Sequence, residues 1–167
     1  MSTLFVDTIN EKTSGNGIAI PGHVVQVVST SKTDGFSTSS SSYTDVTGLS
    51  VTITPKFSNS KILITVSTAA SNNTASRVER FRLLRGTTWI AKPDSDTQSF
   101  AGSMTVYDSS ADVLHTVHCE FLDSPATTSA TTYKVQCSTN GGTMFVNRRA
   151  SNDMARHSSI TAVEIAQ

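Results

Sequence analysis

Apolar residues in this chain recur at every second position. Leu49, Val51 and Ile53 share one face of a run that Pro55 ends, and Tyr133, Val135 and Cys137 alternate with Thr132, Lys134 and Gln136. Phe81 and Leu83 oppose Arg80, Arg82 and Leu84 in the same way. His115, Val117, Cys119 and Phe121 oppose Leu114, Thr116, His118, Glu120 and Leu122. A period of two is that of a pleated strand with one buried face, and no stretch makes a convincing helix. Serine and threonine supply about three residues in ten. They alternate with Val, Ile and Phe, as solvent-facing strand positions do. Ser37 to Ser42 alone reads as low complexity.

The pattern predicts roughly eight to ten strands with turn signals at intervals of roughly 8 to 15 residues, the signature of a β-sandwich or jelly roll. Strands are expected over His23–Thr30, Tyr43–Val46, Leu49–Ile53, Ile62–Val66, Glu79–Arg85, Trp89–Ala91, Leu114–Leu122, Thr132–Cys137, Met144–Val146 and Ser159–Ile165, with Met104–Tyr107 an optional short one beyond these ten. Thr47-Gly48 separates the second from the third, and Gly86-Thr87 makes a hairpin turn. Ser31–Ser42 reads as a flexible connection, and Asp108–Asp112 as a turn. Ala69–Ser76, Lys92–Ser103 (with Phe100 packed inward) and Ala150–His157 read as polar loops. Ser76–Leu84 is the one place where a helix competes. Its β-competent residues and Gly86 favour a strand.

Ahead of the first strand lies a segment of different character. Leu4, Phe5, Val6 and Ile9 are apolar but too few to bury one another. Gly15-Asn16-Gly17 is a turn signal, Ile18 and Ile20 add a second short apolar step, and Pro21-Gly22 breaks the chain again. Residues 1–22 therefore read as a docking arm, and residues 23–167 as the sandwich domain. The six apolar side chains of the arm need a partner elsewhere.

Thirteen basic and thirteen acidic residues give no net charge, which disfavours nucleic acid as the main partner and suits a subunit packed beside its own copies. Met1–Asn10 lacks the basic start and apolar core of a secretory signal, and no apolar run approaches the length of a membrane helix. If the strands carrying Cys119 and Cys137 form a hairpin around Ser124–Thr132, the two thiols are not opposite each other. Free cysteines in a reducing cytoplasm are expected.

His115 and Cys119 share a strand face while His118 points away, so one strand cannot close a metal site. No Gly-x-Ser-x-Gly elbow is present. Asp94, Asp96, Asp108 and Asp112 sit where aspartate is a routine turn residue rather than a catalytic pair. No catalytic, cofactor-binding or metal-ligating residue is assigned, and no enzyme activity is expected.

Several segments carry a resemblance. These are Ser2-Thr-Leu-Phe-Val-Asp-Thr-Ile9, Gly17-Ile-Ala-Ile-Pro-Gly-His-Val-Val-Gln-Val-Val28, Gly48-Leu-Ser-Val-Thr-Ile-Thr-Pro55, Ser60-Lys-Ile-Leu-Ile64 and Phe81-Arg-Leu-Leu-Arg-Gly86. Phe121-Leu-Asp-Ser-Pro125, Tyr133-Lys-Val-Gln136 and Ser159-Ile-Thr-Ala-Val-Glu-Ile165 complete the set. In order and spacing the chain resembles small tail-fibre or virion structural proteins of marine, cyanophage-like tailed phages. The resemblance implies an all-β jelly-roll body like tumour-necrosis-factor-like and complement-globular-head domains. It also implies a homotrimer on the virion, assembled in the host cytoplasm, with the arm held by other virion proteins and no membrane insertion.

Arg80, Arg82 and Arg85, with Arg148, Arg149 and Arg156, are the densest positive charges, and Trp89, Tyr43, Tyr107 and Tyr133 are the few aromatics suited to sugar stacking. On that footing Arg85, Trp89, Arg148, Arg149 and Arg156 become the candidates for host contact, including an anionic cell-surface glycan. The plainer reading of the arginines is solvated strand edges and intersubunit salt bridges. The role expected first is a tail fibre or adhesin. A capsid-decorating head fibre or tail-tip adaptor comes second, and a lectin-like module or glycan hydrolase last.

Overall fold

The computed structural model describes residues 8–10, 15, 17–18, 20–94 and 101–167. Among these residues every regular element is a strand, and all pairings are antiparallel. The first sheet runs β1 (Val24–Lys32), β11 (Ser158–Ile165), β4 (Lys61–Asn72), β10 (Met144–Val146) and β2 (Phe36–Thr38), with β8 (His115–Asp123) on the other edge of β4. The second sheet runs β3 (Thr44–Ile53), β9 (Thr131–Thr139) and β5 (Arg77–Arg85). Two short strands, β6 (Thr88–Ile90) and β7 (Met104–Asp108), share the far edge of β5.

Alternation places the core between the sheets. From the first sheet Ile62, Ile64, Val66, Val146, Ile160 and Ala162 point inward, and from the second Leu49, Val51, Ile53, Phe81, Leu83, Tyr133 and Val135 meet them. Each of these side chains is at most 3% exposed, so the described residues form a β-sandwich around a single apolar core.

Register gives the sandwich two distinct ends. Val24, Lys61 and Ile165 are paired neighbours, and Arg85 reaches Asp123 at the foot of β8. This is the arm end, because Gly22 and His23 at the root of the arm pair with Ala166 here. Asn72, Arg77, Asp108, His115 and Thr139 gather at the opposite end with the 72–77, 109–114, 140–143 and 147–157 connections. We call it the loop end.

Several sequence expectations change. β1 continues through Ser31 to Lys32, and β2 lies within the supposed flexible Ser31–Ser42 connection. Lys32 is buried where a serine-rich linker was expected. The two strands expected around Thr47-Gly48 are one strand with a bulge. Asp45 pairs with Gln136 and Ser50 with Lys134, so Val46 through Leu49 face a single residue, and Gly48 takes the positive φ of 84° that the bulge needs. Ala69–Ser76 is not a loop throughout, since β4 runs to Asn72 and Ala69, Ala70, Ser71 and Asn72 are buried. Asp108 ends β7 rather than opening a turn, and it too is buried. β8 and β9 do not form a hairpin; they belong to opposite sheets. Both cysteines are free and buried, and burial pushes the Cys137 thiol up to about 12. Half of the Lys92–Ser103 loop, residues 95–100 with Phe100, lies outside the described residues.

At the loop end a carboxyl group sits inside the sandwich. Glu79 on β5 has no exposed surface. Asn72 Nδ2 donates to its Oε1 (2.9 Å) and also to Thr139 Oγ1 (3.1 Å). Asp108 lies beside it and is paired with His115 Nε2. Burial, opposed by the Asn72 hydrogen bond and reinforced by the Asp108 charge, raises the Glu79 carboxyl from 4.5 to about 7. A folded state that holds this proton more tightly than the unfolded chain is favoured below pH 4.5 and loses that advantage as pH rises through 7. Asp34, Asp45 and Asp112, all held low, act only below 3.8 and leave this window clear. Denaturant titrations between pH 5 and 8 are expected to show stability falling with pH, by on the order of 3 kcal/mol as an upper bound. Glu79→Gln is expected to flatten that slope.

Candidate functional site

The described residues of the arm are exposed. Ile9 is 57% and Ile18 and Ile20 each 37% accessible, beside Val24 at 58%. Ile9, Asn10, Gly15, Gly17, Ile18, Val25 and Lys56 line an open cleft of about 480 Å³ at the arm end. Gly22 N–H donates to Ala166 O (2.8 Å) and Ala166 N–H to His23 O (3.0 Å), so the root of the arm is tied to the carboxyl-terminal strand. Glu164, wholly buried, accepts from the Lys56 and Phe57 amides and from the Gln26 side chain and fixes the adjoining turn. Leu4, Phe5 and Val6 lie outside the described residues.

The outer face of the first sheet continues this apolar character. Cross-strand register aligns Val27 with Val163, Val163 with Leu63, and Leu63 with Leu122. The result is one apolar row across β1, β11, β4 and β8, with Val27 59% and Leu122 50% exposed at its ends. The rows toward the loop end are Ser29, Thr161, Thr65 and Glu120, then Ser31, Ser159, Ser67 and His118. Such a surface is flat, hydroxyl-rich and nearly free of charge.

The five candidate contact residues are not one patch. Arg85 and Trp89 lie on the second sheet toward the arm end, whereas Arg148, Arg149 and Arg156 lie in the 147–157 excursion at the loop end. Asn147 starts that excursion at a φ of 67°, with its side chain donating to Lys32 O and Asp34 O. Arg148 stacks on Phe145 (4.3 Å), Arg149 approaches Asp112 (3.4 Å) and Asp153 (3.5 Å), and Arg156 donates to Thr116 Oγ1 (3.2 Å). Arg156 also lines a cleft of about 340 Å³ with Ser67, Ala69, Thr116 and His157.

Arg85 is largely committed to the fold. Its Nη1 donates to both oxygens of Asp123 (2.9 Å each), and the buried Tyr133 hydroxyl donates to Oδ2 (2.7 Å). Trp89 is fixed by Nε1 donating to Ser103 Oγ (2.9 Å), and its ring is covered by the Arg82 guanidinium at 4.0 Å. Arg82 also stacks on Tyr43 at 3.7 Å. Arg82 belongs to the arginine cluster and Tyr43 to the few aromatics suited to sugar stacking, although neither was singled out with Arg85 and Trp89. The period-two pattern put Arg82 outward, but only the pairing of distant strands brings two aromatic rings to it.

Among the described residues no group of three or more His, Cys, Asp and Glu side chains is placed to hold a metal ion. No helix among them is long and apolar enough to cross a membrane.

No family model matches the chain, and no curated protein does. Similar chains occur in solved structures of infectious bursal disease virus. For the Gt strain the TM-score is 0.47 at 10% identity, covering 98% of this chain and 43% of that one. For the T13 viral particle it is 0.43 at 12% identity, covering 84% and 35%. For the Gx strain it is 0.41 at 12% identity, covering 96% and 42%. This chain thus spans less than half the length of each of those chains. At such identities and scores the likeness carries no argument about function.

Removing Arg85 leaves the Asp123 carboxylate, itself 7% exposed, with Tyr133 as its remaining side-chain partner. Because Arg85 is about a third exposed, the cost is expected below the full value of breaking a buried pair, at roughly 2 kcal/mol. Arg85→Ala is therefore expected to lower the denaturant midpoint, whereas Arg156→Ala should leave it nearly unchanged.

Proposed function

We propose that this chain is a non-enzymatic virion structural protein. In this reading it is a homotrimeric tail fibre or adhesin subunit, anchored through residues 1–22 and presenting its loop end to the host surface. The observation that carries the reading is the polarity of the molecule. Exposed isoleucines and the root of the arm occupy one end, and the 147–157 excursion with its arginines occupies the other. The sequence resemblance to phage virion proteins supplies the class.

The apolar row Val27–Val163–Leu63–Leu122 supports contact between copies. An aliphatic row across four strands, flanked by hydroxyl side chains, gains by leaving water at roughly 25 cal/mol per Å². Chain copies meeting there bury like against like with little charge to desolvate. The number three comes from the resemblance.

Two measurements test the reading. The purified chain is expected to run at three times its mass in light scattering, and Leu122→Glu is expected to shift it to a folded single chain. Deleting Ser2–Ile20 is expected to leave a folded trimer that no longer joins particles. A wild-type monomer would remove the trimer, and normal incorporation of the deleted form would remove the docking role.

A further inference from the structure

The outer face of the second sheet differs in chemistry from that of the first. Arg80 and Arg82 on β5 and Lys134 on β9 project from it, and Lys92 follows β6. Arg82 is the centre. Its guanidinium carbon lies 3.7 Å from the Tyr43 ring centroid and 4.0 Å from that of Trp89, so two rings share one cation. Lys92 and Arg80 add positive charge near the same rings, at 5.7 Å from Trp89 and 5.5 Å from Tyr43.

Both rings are held at their polar tips. The Tyr43 hydroxyl donates to Ala101 O (2.5 Å) and the Trp89 indole to Ser103 Oγ (2.9 Å). Ser103 Oγ is itself fixed by the Leu83 amide (3.1 Å). The clamp is therefore built before any ligand arrives, and the entropy of ordering an arginine side chain has already been spent in folding.

Among the described residues no anion meets the clamp. Across the ladder from Arg82 stands Gln136, whose side chain donates to Asp45 Oδ1 (2.8 Å). Asp45 Oδ2 is held by Lys134 (2.8 Å), and these bonds keep its carboxyl below the usual range. The acid nearest in register is thus taken. Among the described residues Arg82 meets no carboxylate and no hydrogen-bond acceptor, and its Nε is buried without one. A stacked guanidinium with unused donors has the planar fork that carboxylates and sulfates accept.

We propose that Arg82, clamped between Tyr43 and Trp89, is a binding site for the carboxylate or sulfate groups of an acidic polysaccharide. This rests on the host-contact reading, names the chemistry of the surface and moves the contact from the loop end to the outer face of the second sheet; it also replaces Arg85, whose Nη1 is held by Asp123, as the reading arginine. The Arg82 charge supplies attraction that salt screens, and the fork supplies the geometry.

The test uses the full chain in solution on immobilised dextran sulfate, polygalacturonate and neutral dextran at low salt. Retention on at least one of the acidic polymers and not on dextran is expected, and the polymer bound identifies sulfate or carboxylate. Arg82→Gln is expected to weaken binding about tenfold or more, the scale of a charge-assisted hydrogen bond. Arg82→Lys keeps the charge but not the fork and is expected to lose a similar factor. It also decides the matter should Arg82→Gln fail to melt cooperatively. Lys61→Gln, on the other sheet, is expected to change nothing. Failure of the wild-type chain to bind either acidic polymer would overturn the site. So would equal binding to dextran, full affinity in Arg82→Lys, or an equal loss in Lys61→Gln. None of these outcomes depends on particles or on the trimer, so the site and the virion role stand or fall separately.

Discussion

Strand β4 is hydrogen-bonded along both edges while its inner face is sealed against the second sheet. Ile62, Ile64, Val66 and Ala70 have no exposed surface. β8 occupies one edge from Ile62 to Ala70, and the other is divided between β11 over 61–67 and β10 over 70–72. That division forces the chain out between β10 and β11, because two strands on one line need a route from the end of one to the start of the next. The 147–157 excursion follows from this geometry, with Asn147 making the departure at positive φ. The arginines there are displayed at the loop end because the ladder leaves them nowhere else.

Carboxylates inside the sandwich act as ties between segments distant in sequence. Glu164 at the arm end holds the 56–57 turn, Asp123 joins Arg85 to Tyr133, and Glu79 with Asp108 draws β4, β5, β7 and β8 together at the loop end. Taking such groups out of water is costly, and their attraction recovers that cost only with well-placed donors. Glu164 and Asp123 have those donors on both oxygens. Glu79 has a donor on Oε1 alone, and its burial, with the Asp108 charge beside it, makes it hold its proton longer than a carboxyl in water.

Strand character was legible wherever the two-residue period was unbroken. Leu49–Ile53, Phe81–Leu83 and Tyr133–Cys137 lie in strands whose apolar positions face the core. The period failed where small polar residues are buried. Ala69 through Asn72 look like a loop because their burial depends on β8, β10 and the Asn147 region, none of which is local. Ser31 and Lys32 were lost for the same reason, since β11 pairs them from the far end of the chain. The supposed β8–β9 hairpin failed differently. The segment after Asp123 crosses between sheets, and a turn signal does not say which sheet the next strand joins. For the candidate site, outward arginines on β5 were visible from alternation. Alternation also put Arg85 on the face of Phe81 and Leu83, but its partner Asp123, like the Tyr43 and Trp89 rings at Arg82, comes from another part of the chain and was not legible.

The formal balance of charge conceals how charge is distributed. Among the described residues Glu79, Asp108, Asp123 and Glu164 are buried, against Lys32 alone among the bases. The acids are thus spent disproportionately on holding the interior, and the accessible surface is tilted toward positive charge. That tilt is uneven, because the first sheet's outer face is aliphatic and hydroxylic while the second carries Arg80, Arg82 and Lys134 against Asp45. A surface of the first kind favours association with an uncharged partner of similar texture, and one of the second kind favours an anion. A single sandwich can serve both demands because alternation lets each sheet present an outer chemistry independent of the core it shares.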